Sequence, residues 1–219
     1  MLPSPGFIPD SVLERRAIEL LREHERRKGL VSSIPVPIEA TVEQTLDLRV
    51  VWLPIKELPG EIILARIDPD FLGHPTIQMN ENRAHHFKSF FGTEQFSLAH
   101  EAGHWVLHFG RGRARQLGLL AEIVNQGDAP RLCLQMSDSS RRELQADRFA
   151  AFLLMPEYLV RVAAVRHDLT HWSGISNLAL ACGVSKRAMA LRLDALGLIR
   201  LSPDGLAKLE SPGDNPALI

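Results

Sequence analysis

The chain has 219 residues and a mass of 24.4 kDa, room for one generous domain or a domain with a small appendage at ~150 residues per domain. Hydrophobic residues at 45% and charged residues at 23% are close to globular averages, which excludes wholesale disorder and a fibrous protein. A formal charge of −1 excludes a broadly basic nucleic-acid coat, though it permits a local basic patch. Nine histidines stand against one tyrosine, and histidine is the side chain that both ligates metals and titrates near neutrality. Cys133 and Cys182 form no CxxC pair, so they predict buried free thiols in a reducing compartment, not a disulfide framework or a thiolate zinc site. Met1 to Ile8 lacks the charged start and apolar stretch of a signal peptide, and no window approaches the ~18 apolar residues of a membrane helix. A soluble, cytoplasmic protein is expected.

In chain order, Ser11 and Glu14 are spaced as a capping box for a helix that carries Leu13, Ala17, Leu20 and Leu21 on one face and ends before Gly29. A second, short helix is predicted from Pro37 towards Leu46. Three β-like runs follow, at 48–53, 61–67 and 76–80, separated by turn chemistry at Pro59-Gly60 and Gly73 to Pro75; they predict a small antiparallel sheet. Thr93 suits the cap of a helix reaching His108 and ended by Gly110 to Gly112. A short helix over Gln116 to Val124 and a loop at Gln126 to Pro130 come next. Ser139 or Ser140 then opens a helix that stops at Pro156. From Ser202 the chain, rich in Pro, Gly and Asp, reads as a tail.

Within the 93–108 helix lies His100-Glu101-Ala102-Gly103-His104, an HExxH sequence. Residues four apart share a helix face, so two imidazoles can grip one ion with Glu101 beside it. The metzincin continuation fails, because the positions that need Gly and His hold Leu107 and Gly110. A carboxylate from the later helix fits better: Glu143 as third ligand, with Asp147 one turn on to accept the free ring N–H of a ligand histidine. A His2Glu set with an open position is a catalytic zinc arrangement. It predicts Zn2+, with Mn2+ as a possible substitute in vitro, and peptide hydrolysis with Glu101 moving the proton.

These two segments, F-S-L-A-H-E-A-G-H-W-V-L-H from Phe96 and E-L-Q-A-D-R-F-A-A-F-L-L-M-P from Glu143, resemble the ImmA/IrrE metallopeptidases. The resemblance implies that His100, His104 and Glu143 match the metal ligands and Glu101 the catalytic glutamate. It further implies a cytoplasmic, gluzincin-like endopeptidase that cleaves a helix-turn-helix repressor and so derepresses stress-response or mobile-element genes. Residues 81–95, with His85 and His86, form a longer lead-in to the zinc helix than the family's usual basic stretch. The chain also ends short of the GAF-like sensor that radiation-response members carry, so no signal sensing is expected within it.

Other residues have two readings each. His108 is expected to pack beside the site, since eight α-helical residues rotate it about 80° away from His100. Tyr158, His167 and His171 are the candidates for polarising the developing oxyanion. His85 and His86 read as a solvated loop, and Trp52, Trp105 and Trp172 as core. Residues 175–199 resemble a helix-turn-helix, with Gly183 in the turn and Ser185 capping the second helix. There Lys186, Arg187 and Arg192 can reach phosphates, or the module simply packs on the peptidase or binds the repressor, which is the favoured reading.

The expected architecture is α+β: a zincin-like peptidase domain at 1–158 with its active-site helix, a helix-turn-helix-like helical module at 159–200 and a flexible tail at 201–219. The expected partner is a protein repressor, with no membrane and with direct DNA binding open. The alternatives are a DNA-binding transcriptional regulator with a structural or vestigial metal site, and the protease component of a toxin–antitoxin or phage-derived module.

Overall fold

A computed structural model of the chain describes residues 8–29, 34–109, 136–201 and 209–210. The predicted elements at 116–124 and 126–130, the helix stop at Gly110 to Gly112, Cys133 and most of the tail lie outside these residues. The first helix, α1 (Asp10–Lys28), buries Leu13, Ala17, Leu20 and Leu21 as their spacing requires. Its start differs from the predicted capping box. Pro9 takes the N-cap position with no side-chain cap, and Glu14 is drawn instead to the guanidinium of Arg192. α2 (Ile38–Thr45) follows Pro37 and is tied to α1 by a 2.9 Å hydrogen bond between His24 Nδ1 and Thr45 Oγ1.

The sheet consists of β1 (Arg49–Leu53), β2 (Ala65–Phe71) and β3 (His74–Asn80) in the order β1-β3-β2. β2 and β3 are antiparallel, but β1 runs parallel to β3 with Arg49 opposite Thr76. The expected antiparallel sheet is therefore mixed. The reason is positional: β3 is the central strand, buried from Thr76 to Asn80, and residues 54–64 carry the chain from one edge of the sheet to the other before the β2–β3 hairpin. β2 also starts later than predicted, because Glu61 N–H closes a turn onto Leu58 C=O. It then runs through Pro69, which an edge strand tolerates. The buried polar residues of β3 are bonded: Gln78 accepts from Arg66 Nε at 2.7 Å, and Asn80 accepts from Ile55 N–H and donates to Ile63 C=O.

A short 3₁₀ turn (Glu81–Arg83) leads into α3 (Ala84–Ser89), so His85 and His86 are helical and not in a loop. Trp52, expected in the core, is 44% exposed and meets Phe87 edge-on at 5.2 Å; Trp105 is buried as expected. α4 (Thr93–His104) has Gly92, not Thr93, at its N-cap, with φ 81°, and continues as a π-helical turn over Trp105–Phe109. α5 (Met136–Leu154) begins before either serine expected to open it and ends, as predicted, ahead of Pro156. α6 (Glu157–Ala164), α7 (Trp172–Cys182) and α8 (Lys186–Ala195) follow. Gly183 is left-handed between α7 and α8, and Ser185 Oγ accepts from Ala188 N–H, both as the sequence requires. β4 (Arg200–Leu201) pairs antiparallel with β5 (Leu209–Glu210), the latter inside the stretch expected as a tail.

One hydrophobic core spans the described residues. It joins Ile77 and Met79 of the sheet, Leu98 and Ala102 of α4, Phe149 and Leu153 of α5, and Ile175, Met189 and Leu193 of the last two helices. Gly92 marks how closely the parts meet, since a Cβ there would lie 2.7 Å from Gly183 O. No helix among the described residues is long and apolar enough to cross a membrane.

Candidate metal centre and catalytic cleft

The site depends on how close α4 and α5 approach. Ala99, Ala102 and Gly103 on α4 face Ala146, Phe149 and Ala150 on α5, all buried. A Cβ at Gly103 would already stand 3.2 Å from Ala146 Cα and 3.1 Å from the Phe149 ring. Small side chains let the two backbones come together, and groups projecting along the same edge of each helix then converge.

What converges is His100, His104 and Glu143, whose ligating atoms all lie within 4.8 Å of one another. His100 Nε2 and His104 Nε2 are 3.0 Å apart, and the Glu143 oxygens stand 3.2 and 3.3 Å from them. Two imidazole nitrogens and a carboxylate aimed at one point suit a divalent cation, with nitrogen and oxygen donors of the kind zinc takes. Asp147, one turn along α5 from Glu143, bonds His100 Nδ1 at 2.9 Å, which leaves Nε2 facing the cluster. Burial disfavours charge on His100, yet the bonds to Asp147 and Glu143 outweigh it and raise its pKa to about 10. The same imidazoles hold the Glu143 carboxyl far below the usual carboxylate range.

Glu101 is 7% exposed and shares the cleft with the three donors. Desolvation pushes its pKa up, against the pull of His104 and His100 and of a hydrogen bond from the Ile67 backbone. A buried carboxylate with raised basicity is suited to accept a proton.

The cleft has a volume of about 290 Å3 and is walled by Ala65, Arg66 and Ile67 of the edge strand β2, by the α4 residues, by His108 and Phe109, and by Arg142 and Glu143. His108 packs beside the site as expected, but without the expected rotation of about 80° away from His100. The π turn closes with wider, i→i+5 bonds and turns less per residue, which returns the ring towards the cleft, 5.5 Å from that of His104. Burial, reinforced by His104, lowers its pKa to about 4 against a hydrogen bond to the Arg142 backbone, and its Nε2 is buried without a partner among the described residues. Arg142 Nε is likewise buried and unpartnered. Arg142 and Arg66 carry no periodic or motif signal, so sequence reasoning passed over both; their adjacency to Glu143 and to the edge strand emerges only in the fold.

The three oxyanion candidates are not brought to this cleft. Tyr158 Oη donates to Glu25 on α1, His171 bonds the Asp168 carboxylate at 3.0 Å, and His167 follows the end of α6; none lines the wall. Of the three cations considered for phosphate contact, Arg192 is unavailable. It is 6% exposed, donates to Met155 C=O, pairs with Glu14 and lies over the Phe152 ring. Lys186 rests on the Trp172 ring.

Among solved structures the chain is similar to a Mycobacterium tuberculosis transcriptional regulator, at 17% identity and a TM-score of 0.49, over 93% of this chain and 56% of that one. This chain thus spans little more than half the length of that protein. No curated protein matches it. The model of the M78 peptidases, described as the IrrE N-terminal-like domain, matches residues 70–194, a span that contains every residue of the cluster and Glu101. The chain belongs to the M78 peptidase family, by way of this IrrE N-terminal-like domain.

Proposed function

We propose that this chain is a zinc-dependent endopeptidase, with manganese as an in vitro substitute, that acts in the cytoplasm on a helix-turn-helix repressor and thereby releases stress-response or mobile-element genes. The observation that carries the reading is the convergence of His100, His104 and Glu143 beside the buried carboxyl of Glu101. His100, His104 and Glu143 would hold a divalent cation, which when bound would supply Lewis acidity, lowering the pKa of water towards ~7 and polarising a carbonyl.

The chain's own residues supply the rest. Asp147 fixes the tautomer of His100. Glu101 takes the proton of the attacking water and passes it to the leaving amine. Arg142, a permanent cation in the wall, donates to the carbonyl oxygen as it becomes anionic, a role considered for Tyr158, His167 and His171, which do not line the cleft. The substrate backbone lies along the edge strand at Ala65 to Ile67, where strand addition holds an extended peptide.

The test is incubation of the zinc- or manganese-loaded protein with helix-turn-helix repressors encoded beside its gene, with products mapped by mass spectrometry. A single cut in one repressor is expected. Substrate left intact with both metals would contradict the reading.

A further inference from the structure

The cleft around the cluster is lined mainly by charged and imidazole side chains, so it offers less apolar surface with which to choose one protein among many than the concavity beside it. A second concavity lies beside it. It has a volume of about 360 Å3, within the ~300–1,000 Å3 common for ligand pockets, and is formed where α8 packs against α4 and α5. Phe96, Ala151, Leu154, Met155 and Leu191 make its apolar wall. Phe96 stands one turn before His100 on α4, their rings 6.2 Å apart, and Ala151 stands one turn after Asp147 on α5. The groove therefore continues the α4–α5 seam that carries the cluster.

Its charge is one-sided. The chain as a whole has 26 acidic and 25 basic residues, yet among the described residues no carboxylate lines this groove or the adjoining hollow of about 610 Å3. The fixed charges that face them are Arg187 and Lys186, and Arg187 has no acidic partner among the described residues. Phe90, Phe91, Leu180 and Leu191, which line the two concavities, are each more than half exposed. Apolar side chains clustered in this way mark a binding surface.

We propose that this groove is a docking site for the substrate polypeptide away from its scissile bond, and that it takes an amphipathic segment with leucine-type side chains on one face and Asp or Glu beside them. The proposal rests on the endopeptidase reading and deepens it. Binding energy from a remote segment is what lets an enzyme with such a cleft cut one protein selectively. The apolar wall receives the leucines, and Arg187 and Lys186 meet the carboxylates.

The experiment is fluorescence anisotropy of the full chain with a labelled peptide that repeats leucine at helical i, i+3, i+4, i+7 spacing with glutamate between, and with its lysine-for-glutamate counterpart. Binding needs no hydrolysis, so the result is independent of whether the chain proves to be a peptidase. The acidic peptide is expected to bind at least about tenfold more tightly than the basic one. Arg187→Glu is expected to remove that preference, and Leu191→Asp to weaken the acidic peptide by about tenfold or more while melting at the wild-type temperature. Absence of acidic-peptide binding, equal binding of the two peptides, or unchanged affinity in both folded variants would overturn the proposal.

Discussion

Arg142 and His24 show how burial gives a single side chain a consequence that its identity alone does not. A buried guanidinium N–H without a partner is costly unless something accepts from it when the site is filled. In the proposed reaction the guanidinium, which lines the cleft, faces the developing oxyanion. Arg142→Met is therefore expected to lower kcat by about 10²–10³ while leaving cation binding nearly unchanged, as steady-state kinetics and a metal titration would record. His24 is buried against Thr45, and burial and the charge of Lys28 lower its pKa below the ordinary histidine value of 6.5. The folded chain thus binds a proton at His24 less readily than the unfolded chain, which takes one up as pH falls below 6.5. Its contribution is full above that pH and is lost on acidification. Urea unfolding at pH 7.5 and 5.5 is expected to show a drop in stability that His24→Gln reduces.

At the scale of elements, the approach of α4 and α5 decides whether the cluster exists. Gly103→Val places branched carbon where even a Cβ is 3.2 Å from the Ala146 backbone, and backbone cannot give way as a flexible side chain can. The expected cost is about 1–3 kcal/mol, together with weakened cation binding in a chelator competition, because His100 and His104 are pushed from Glu143. That coupling was only half legible in the sequence. The HExxH spacing and Glu143 with Asp147 are periodic facts about single helices, and they located the donors without any tertiary information. The α1, α2 and α4 faces and the Gly183–Ser185 turn were legible for the same reason. What lay beyond reach were features set by partners distant in the chain. β1 pairs in parallel because residues 54–64 cross the sheet, and Glu14 abandons its local cap for Arg192. His108 returns to the cleft through a π turn that an ideal α-helical projection cannot anticipate. Tyr158 and His171 were plausible by residue type alone, and their partners Glu25 and Asp168 hold them elsewhere.

For the whole molecule, the last helices share the core of the peptidase part, and Arg192 is the polar link between them. Its guanidinium ties α8 to Glu14 of α1 and to the carbonyl of Met155 at the end of α5. Arg192→Met keeps apolar contact with Phe152 but leaves both acceptors unpaired. The loss is expected near ~3 kcal/mol, the low end for a broken buried pair because Glu14 keeps some access to water. Thermal unfolding is expected to stay a single transition, since the core is continuous.

In the proposed mechanism cation binding and proton transfer are divided between separate residues of one cleft. The most direct measurement is to compare the wild-type chain with Glu101→Gln for both bound metal and cleavage of the proposed repressor substrate. One divalent cation per chain is expected in each protein and cleavage by the wild type alone, with the variant reduced by several orders of magnitude. A wild-type chain that binds no cation, or a Glu101→Gln chain that cuts at the wild-type rate, would contradict it.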